Sequence, residues 1–144
     1  MAVPYLLREL KPTEAKAMVA LLLESRNVDV LKISKDIAAS FKHGRNYGLF
    51  VGGNLIGVSG VIDTPAIASL SYLYLNPAYR MKKICLEFTY KVIESIEADL
   101  VYVKSRNIST FRSLVEKEGD KYRFKKREFL EKIMSRINID SLEG

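Results

Sequence analysis

The sequence is poor in the residues from which metal centres and thiol or imidazole chemistry are built. One cysteine, Cys85, and one histidine, His43, occur in 144 residues. A lone cysteine excludes an intrachain disulfide framework and any cysteine-based metal cluster, and fits a reducing compartment. A lone histidine argues against most zinc-type sites, so no metal is expected. No Ser/His/Asp set and no nucleotide P-loop occurs. No apolar run reaches the roughly 18 residues that a membrane helix needs. The opening MAVPYLLRELKPTE carries charge too early for a secretory leader. These absences lead us to expect a soluble, cytoplasmic protein with no membrane partner. Glycine is missing from the whole stretch between Gly60 and Gly119.

What is present is enough for a core. Hydrophobic residues make up 48%, with eight Tyr and six Phe, so the chain should fold without staples as one domain over 1–144. The formal charge is +6, shared as +2 over residues 1–77 and +4 over 78–144. The basic excess peaks at Lys121-Tyr122-Arg123-Phe124-Lys125-Lys126-Arg127. Such a cluster attracts polyanions, although charge runs more often mark a solvated surface.

The elements alternate briskly. Tyr5–Glu9 reads as a short strand. Pro12-Thr13-Glu14 starts a helix, with Pro in the first turn and an early acid that suits the helix dipole. Val30–Lys42 repeats apolar residues at helical spacing, and His43-Gly44 ends it. In YGLFVGGNLIGVSGVI, Gly52-Gly53-Asn54 separates two apolar runs, a hairpin signal. Asp63–Ala66 makes a second turn and Ile67–Leu75 a buried strand, which predicts a three-stranded antiparallel meander over Tyr47–Leu75. Met81, Ile84, Cys85, Phe88, Val92, Ile93 and Ile96 mark one face of a following helix. Leu100-Val101-Tyr102-Val103 reads as a short strand parallel to Ile67–Leu75, reached by a right-handed crossover through that helix. Ser109–Lys117 is expected to be a helix stopped by Gly119. Beyond it, Tyr122, Phe124 and Phe129 suit a strand, while Phe129, Leu130, Ile133, Met134 and Ile137 suit a helix equally well. The order predicts an α/β domain on a mixed sheet.

The loop after Ile67–Leu75 carries the most chemistry. NPAYRMKKICLEF follows a strand and opens a helix, and a helix start offers about four unpaired N–H groups and the positive end of its dipole to an anion. Arg80, Lys82 and Lys83 add charge there. Tyr72 and Tyr74 alternate with Leu73 and Leu75, so the tyrosines share one face and suit core or groove packing with their hydroxyls at the rim. Cys85 falls on the apolar face of the helix, where a buried, inert thiol is the simplest reading.

In this order and with these loops, the chain resembles the GNAT family of acyl-CoA-dependent N-acyltransferases from about Tyr5 to Phe129. LLRELKPTEAKAMVALL is similar to the family's first strand and helix, YGLFVGGNLIGVSGVI to its central hairpin, LYLNPAYRMKKICLEF to its acyl-CoA segment, and NISTFRSLVEKEG to its later Asn-containing helix. The resemblance implies a three-layer fold, a mixed and mostly antiparallel central sheet with helices on both faces. It implies transfer of an acetyl or other acyl group from acyl-CoA to an amine, borne by a small molecule or a protein. Acetyl-CoA would lie along Leu73 and Leu75 and at Arg80, Lys82, Lys83, Ile84, Cys85 and Asn107. Tyr72 and Tyr74 would be the nearest acid or base, with Asp63 and His43 as weaker candidates. Backbone N–H near Leu73 would hold the oxyanion.

The sequence also departs from the family pattern Arg/Gln-x-x-Gly-x-Gly/Ala. Arg80 matches its first position, Lys83 stands at the first glycine, and Cys85 stands where a small residue is usual. Val115 occupies the place of a Tyr that protonates the departing thiolate in many relatives. These departures keep two other readings open. One is a catalytically inactive GNAT-fold binding or structural protein with a protein partner. The chain resembles compact members of this kind encoded by some bacteriophages, virion and host-interaction factors among them; such a source would place it in the host cytoplasm. The other is a nucleic-acid-binding domain using Lys121–Arg127, with Tyr122 and Phe124 interleaved.

Overall fold

The computed structural model describes residues 4–24, 29–80, 83–103, 115–119 and 121–143. The chain opens with β1 (Leu6–Glu9), a 3-10 turn at Pro12–Glu14 and α1 (Ala15–Leu23). Next come α2 (Val30–His43), β2 (Gly44–Val51), β3 (Asn54–Asp63) and β4 (Ile67–Leu75). A 3-10 turn at Pro77–Tyr79 leads to α3 (Lys83–Glu94), β5 (Leu100–Val103), β6 (Glu116–Glu118), β7 (Lys121–Lys125) and α4 (Lys126–Glu143).

Local chemistry explains most of these boundaries. Asp29 caps α2, its carboxylate accepting from the Lys32 amide at 3.1 Å. Gly52 and Gly53 both take positive φ, 58° and 81°, as the tight hairpin between β2 and β3 requires. At Tyr122–Ile137 each of the two open readings holds for part of the segment: β7 takes Tyr122 and Phe124, and α4 takes Phe129 onward.

The strands form one seven-stranded sheet in the order β1-β2-β3-β4-β5-β7-β6. Every pairing is antiparallel except β4 with β5. The meander and the parallel β4–β5 pair therefore stand as expected. The end of the helix expected over Ser109–Lys117 does not: Val115 lies in a bend and Glu116 and Lys117 in β6, while residues 109–114 fall outside the described residues. Gly119, at φ 63°, follows the short strand β6 instead of closing a helix.

Both faces of the sheet are covered, giving three layers. On one face α1 and α2 bury Met18, Leu21, Leu22, Ile33 and Ile37 against Val58, Tyr72 and Tyr74. On the other, α3 and α4 bury Phe88, Val92, Ile93, Phe129 and Ile133 against Leu49, Leu70, Leu75 and Val101. Each such side chain contributes about 1.5–3 kcal/mol through burial.

A bulge in β4 positions everything that follows. Gly60 faces Tyr72 and Val61 faces Leu70, so Ser71 is the extra residue. Before it, Ala68 and Leu70 join the α3 face; after it, Leu75 does, while Tyr72 and Tyr74 turn toward α1 and α2. The Ser71 hydroxyl meets that of Ser40 on α2 at 2.6 Å.

Candidate functional site

Among the described residues, β4 extends beyond its pairing with β5. Residues 67–70 pair with 100–103 of β5, but β4 continues to Leu75. Residues 71–75 thus have β3 on one side and no described strand on the other. Unpaired backbone N–H and C=O groups along such an edge can receive an extended ligand as an added strand. The bulge at Ser71 directly follows the last described pair with β5, Leu70 opposite Val103.

The turn beyond β4 is built from its own hydrogen bonds. Asn76 N donates to Ile56 O at 2.7 Å. Ala78 N donates to the Asn76 side-chain oxygen at 2.9 Å, Tyr79 N to Asn76 O at 2.9 Å and Arg80 N to Pro77 O at 3.3 Å. Arg80 is pinned by its Nε, which donates to Leu75 O at 2.8 Å, and by the Tyr74 ring, whose centroid lies 5.2 Å from its guanidinium carbon. No described residue accepts from its two terminal nitrogens. They form a paired donor fork beyond the end of β4, beside the Tyr74 ring.

No family model matches the chain, and no curated protein matches it. Solved structures do. A GNAT family N-acetyltransferase from Escherichia coli, YhbS in complex with CoA, superposes with a TM-score of 0.69 at 15% identity, over 90% of this chain and 86% of that one. A GNAT family acetyltransferase from Brucella melitensis in complex with acetyl-CoA gives 0.65 at 9% identity, over 86% and 89%. The ribosomal-protein-S18-alanine N-acetyltransferase from Escherichia coli gives 0.65 at 12%, over 83% and 90%. The chain has the GNAT fold.

Within that fold the anticipated site residues separate into groups. Leu73, Leu75 and Arg80 gather at the end of β4. Lys83 and Ile84 open α3; the Lys83 ammonium lies 3.8 Å from Glu87, and Ile84 packs on the core. The Tyr5 phenol is pushed up to about 12 by burial first and by the Glu87 carboxylate second. Cys85 is buried in the α3 core, so its side chain packs and only its backbone could meet a ligand. Lys82 and Asn107 lie outside the described residues. His43 and Asp63 are not brought to this site. They sit at the other end of the sheet, where Asp63 holds Arg45 at 3.1 Å and the Glu97 amide at 3.0 Å.

The two tyrosines share a face, as their alternation predicts, but differ in chemistry. Tyr72 is 1% exposed and donates to the Asn46 side-chain oxygen at 2.5 Å. Burial pushes its phenol well above the ordinary tyrosine range. With its proton engaged and its ring enclosed, Tyr72 is a packing residue, which corrects its place among the acids and bases. The Tyr74 hydroxyl is buried with no hydrogen-bond partner among the described residues.

One residue at this end was missed by sequence reasoning. The Asn76 amide nitrogen donates to Glu24 Oε2 at 3.3 Å, tying the end of α1 to the end of β4. Fifty-two positions separate the pair, so nothing local announces it.

The basic cluster at 121–127 does not form an aromatic nucleic-acid face. Phe124 is buried and stacks on Phe129 with ring centroids 4.2 Å apart, and Tyr122 packs on the core. Arg123 reaches Glu118 at 3.3 Å and Glu116 at 3.9 Å, Arg127 reaches Glu131 at 3.5 Å, and Lys126 donates to Ile96 O. A cavity of about 630 Å³ beside α4, lined by Glu97, Asp99, Lys126 and Met134 among others, lies at the end of the sheet away from Leu75.

Proposed function

We propose that this protein is an N-acyltransferase that uses acyl-CoA, with acetyl-CoA as the first donor to try, and passes the acyl group to an amine. The observation that carries the reading is the end of β4, which on one side has no partner strand among the described residues and which leads to the Arg80 turn and α3. The pantetheine arm would pair with the backbone of Leu73, Tyr74 and Leu75. The phosphates would meet the Arg80 fork, Lys82, Lys83, the first amides of α3 at Ile84 and Cys85, and Asn107.

Acyl-CoA is a substrate here, and the chemistry is a direct displacement. The acceptor nitrogen, already neutral, adds its lone pair to the thioester carbon. The Leu73 N–H holds the oxygen as it becomes negative. The C–S bond breaks with its electrons on sulfur. Nitrogen loses one proton and sulfur gains one, so the products are an amide and a free thiol. Tyr74 is the proposed proton donor to sulfur: its buried hydroxyl has no partner among the described residues, a state that costs about 1–3 kcal/mol, and the departing sulfur supplies a partner. Tyr74 recovers its proton from solvent.

A second reading rests on a different observation. The amides of Ala78, Tyr79 and Arg80 are engaged within the turn, Lys83 leans on Glu87, and Val115 stands at the family's tyrosine position. These features favour a GNAT-fold protein that binds a protein partner and catalyses nothing.

A thermal melt with millimolar acetyl-CoA separates the two. Binding at about a hundred times Kd adds about 2.7 kcal/mol, a rise of roughly five to ten degrees for a chain of this size. The rise should shrink in Arg80→Ala, and thiol should be released when an amine is added. An unmoved melt would sink the acyl-transfer reading and leave the partner-binding one.

A further inference from the structure

The cavity beside α4 lies at the end of the sheet opposite Leu75 and Arg80, and nothing in acyl transfer uses it. Its volume of about 630 Å³ suits a small organic ligand, whose sites usually measure about 300–1,000 Å³. Tyr90 of α3 and Leu130 and Met134 of α4 supply its apolar surface. Met134 is 38% exposed, so its flexible thioether is open to a ligand.

The charge of the lining is unbalanced. Three acids, Glu97, Asp99 and Glu131, share it with two bases, Lys126 and Arg127. Both bases are committed: Lys126 Nζ donates to Ile96 O, and Arg127 meets Glu131 at 3.5 Å. Glu97 and Asp99 are exposed, and among the described residues no cation pairs with either. Every residue from 83 to 103 is described, and the chain beyond Asn138 contains no Lys or Arg. Two uncompensated carboxylates thus border an apolar hollow in a molecule whose net charge is +6.

The loop that carries them is pinned. Glu97 N donates to Asp63 at the end of β3, at 3.0 Å, and Asp99 O accepts from Lys126 N at the start of α4, at 2.7 Å. Little backbone is left to order when a ligand arrives, which lowers the cost of binding.

We propose that this cavity binds an organic cation with an apolar body, an amine carried on an alkyl or arylalkyl chain. The ammonium meets Glu97 and Asp99, and the body lies along Leu130 and Met134. From Lys126, beside Asp99, Leu130 lies about 6 Å and Met134 about 12 Å along α4 at roughly 1.5 Å per residue, so a body of about 10 Å covers the apolar surface. The assignment does not depend on acyl transfer.

Phenylbutylamine, phenylbutanol and phenylbutyrate share a body and differ in charge, so they are the probes. Each is titrated into the full chain with methyl-labelled methionine, and the Met134 methyl resonance, assigned through Met134→Leu, is followed by NMR. This readout separates the cavity from the acyl-transfer site, since an amine held at Leu73 sits at the other end of the sheet. The amine should shift the Met134 methyl saturably and bind about fivefold more tightly than the alcohol, the scale that exposed ion pairs support. The carboxylate should bind more weakly than the alcohol. Glu97→Gln combined with Asp99→Asn should bring the amine down to the affinity of the alcohol. A Met134 methyl that the amine leaves unmoved would overturn the proposal. So would equal affinity for amine and alcohol, tighter binding of the carboxylate, or an amine preference that survives in the double variant. The three ligands on the wild type decide the matter even where the double variant does not fold.

Discussion

Tyr72 and Tyr74 stand two residues apart on β4, yet their hydroxyls meet opposite conditions. Tyr72 donates to Asn46, which is fully buried and whose amide nitrogen donates to Ile37 O at 3.3 Å. Tyr72→Phe would strand the Asn46 oxygen in the core, so it should lower stability by about 1–3 kcal/mol, read from denaturant unfolding. Acyl transfer should keep its rate, because that hydroxyl is engaged elsewhere. Alternation along SYLYL put both tyrosines on one face, but depth and partners came from α2 and β2, remote in sequence. Glu24 was invisible for the same reason. At the far edge of the sheet, Arg8 grips Glu14 through two bonds of 2.9 and 2.7 Å. Arg8 foremost, and then the Lys11 amide, lower the Glu14 carboxyl from 4.5 to about 2. Its folded value lies below its unfolded one, so the stabilisation is complete above pH 4.5 and drains away as pH falls toward about 2. Glu14→Gln should flatten the pH dependence of the unfolding midpoint in that window, and a curve that keeps its wild-type slope there would refute the assignment.

Elements whose signals are local could be read directly. The Gly52-Gly53 hairpin, the amphipathic α2 and α3, and the parallel β4–β5 pair all announce themselves through turn chemistry or periodicity. β6 did not. Its residues Glu116, Lys117 and Glu118 carry no strand pattern and are ordered by register, opposite Arg123, Tyr122 and Lys121 of β7. A glycine at positive φ serves a turn after a strand as well as the end of a helix, so Gly119 could not decide between them. The bulge in β4 was equally hidden, since one extra residue leaves no trace in an apolar run. It depends on Gly60: a Cβ there would fall 2.3 Å from a Tyr72 ring carbon and 2.6 Å from the hydroxyls of both Ser40 and Ser71. Gly60→Ala should therefore cost about 1–3 kcal/mol by overpacking the junction of α2, β3 and β4. The loss should appear as a lower denaturant midpoint, together with a weaker response to acetyl-CoA, because the bulge sets the course of the strand edge beyond it.

The whole molecule carries +6, a field that draws in any polyphosphate. What that field does depends on how the phosphates are finally held. A glycine-rich loop would present backbone amides at close range, in bonds that salt screens little. This chain has no glycine between Gly60 and Gly119, and the amides of Ala78, Tyr79 and Arg80 serve the turn itself. The donor would rely on point charges instead, from the Arg80 fork and from Lys83, which is exposed and must be drawn off Glu87 at 3.8 Å. Exposed charges feel salt strongly, as the screening length falls from about 10 Å at 0.1 M to about 3 Å at 1 M. The dissociation constant for acetyl-CoA, followed by calorimetry, should rise at least about tenfold over that range. Lys83→Gln should weaken binding at low salt and reduce the slope, since one salt-sensitive contact is gone. Affinity that holds steady as salt rises would mean that backbone amides grip the phosphates after all, and Lys83 would then be a surface charge paired with Glu87.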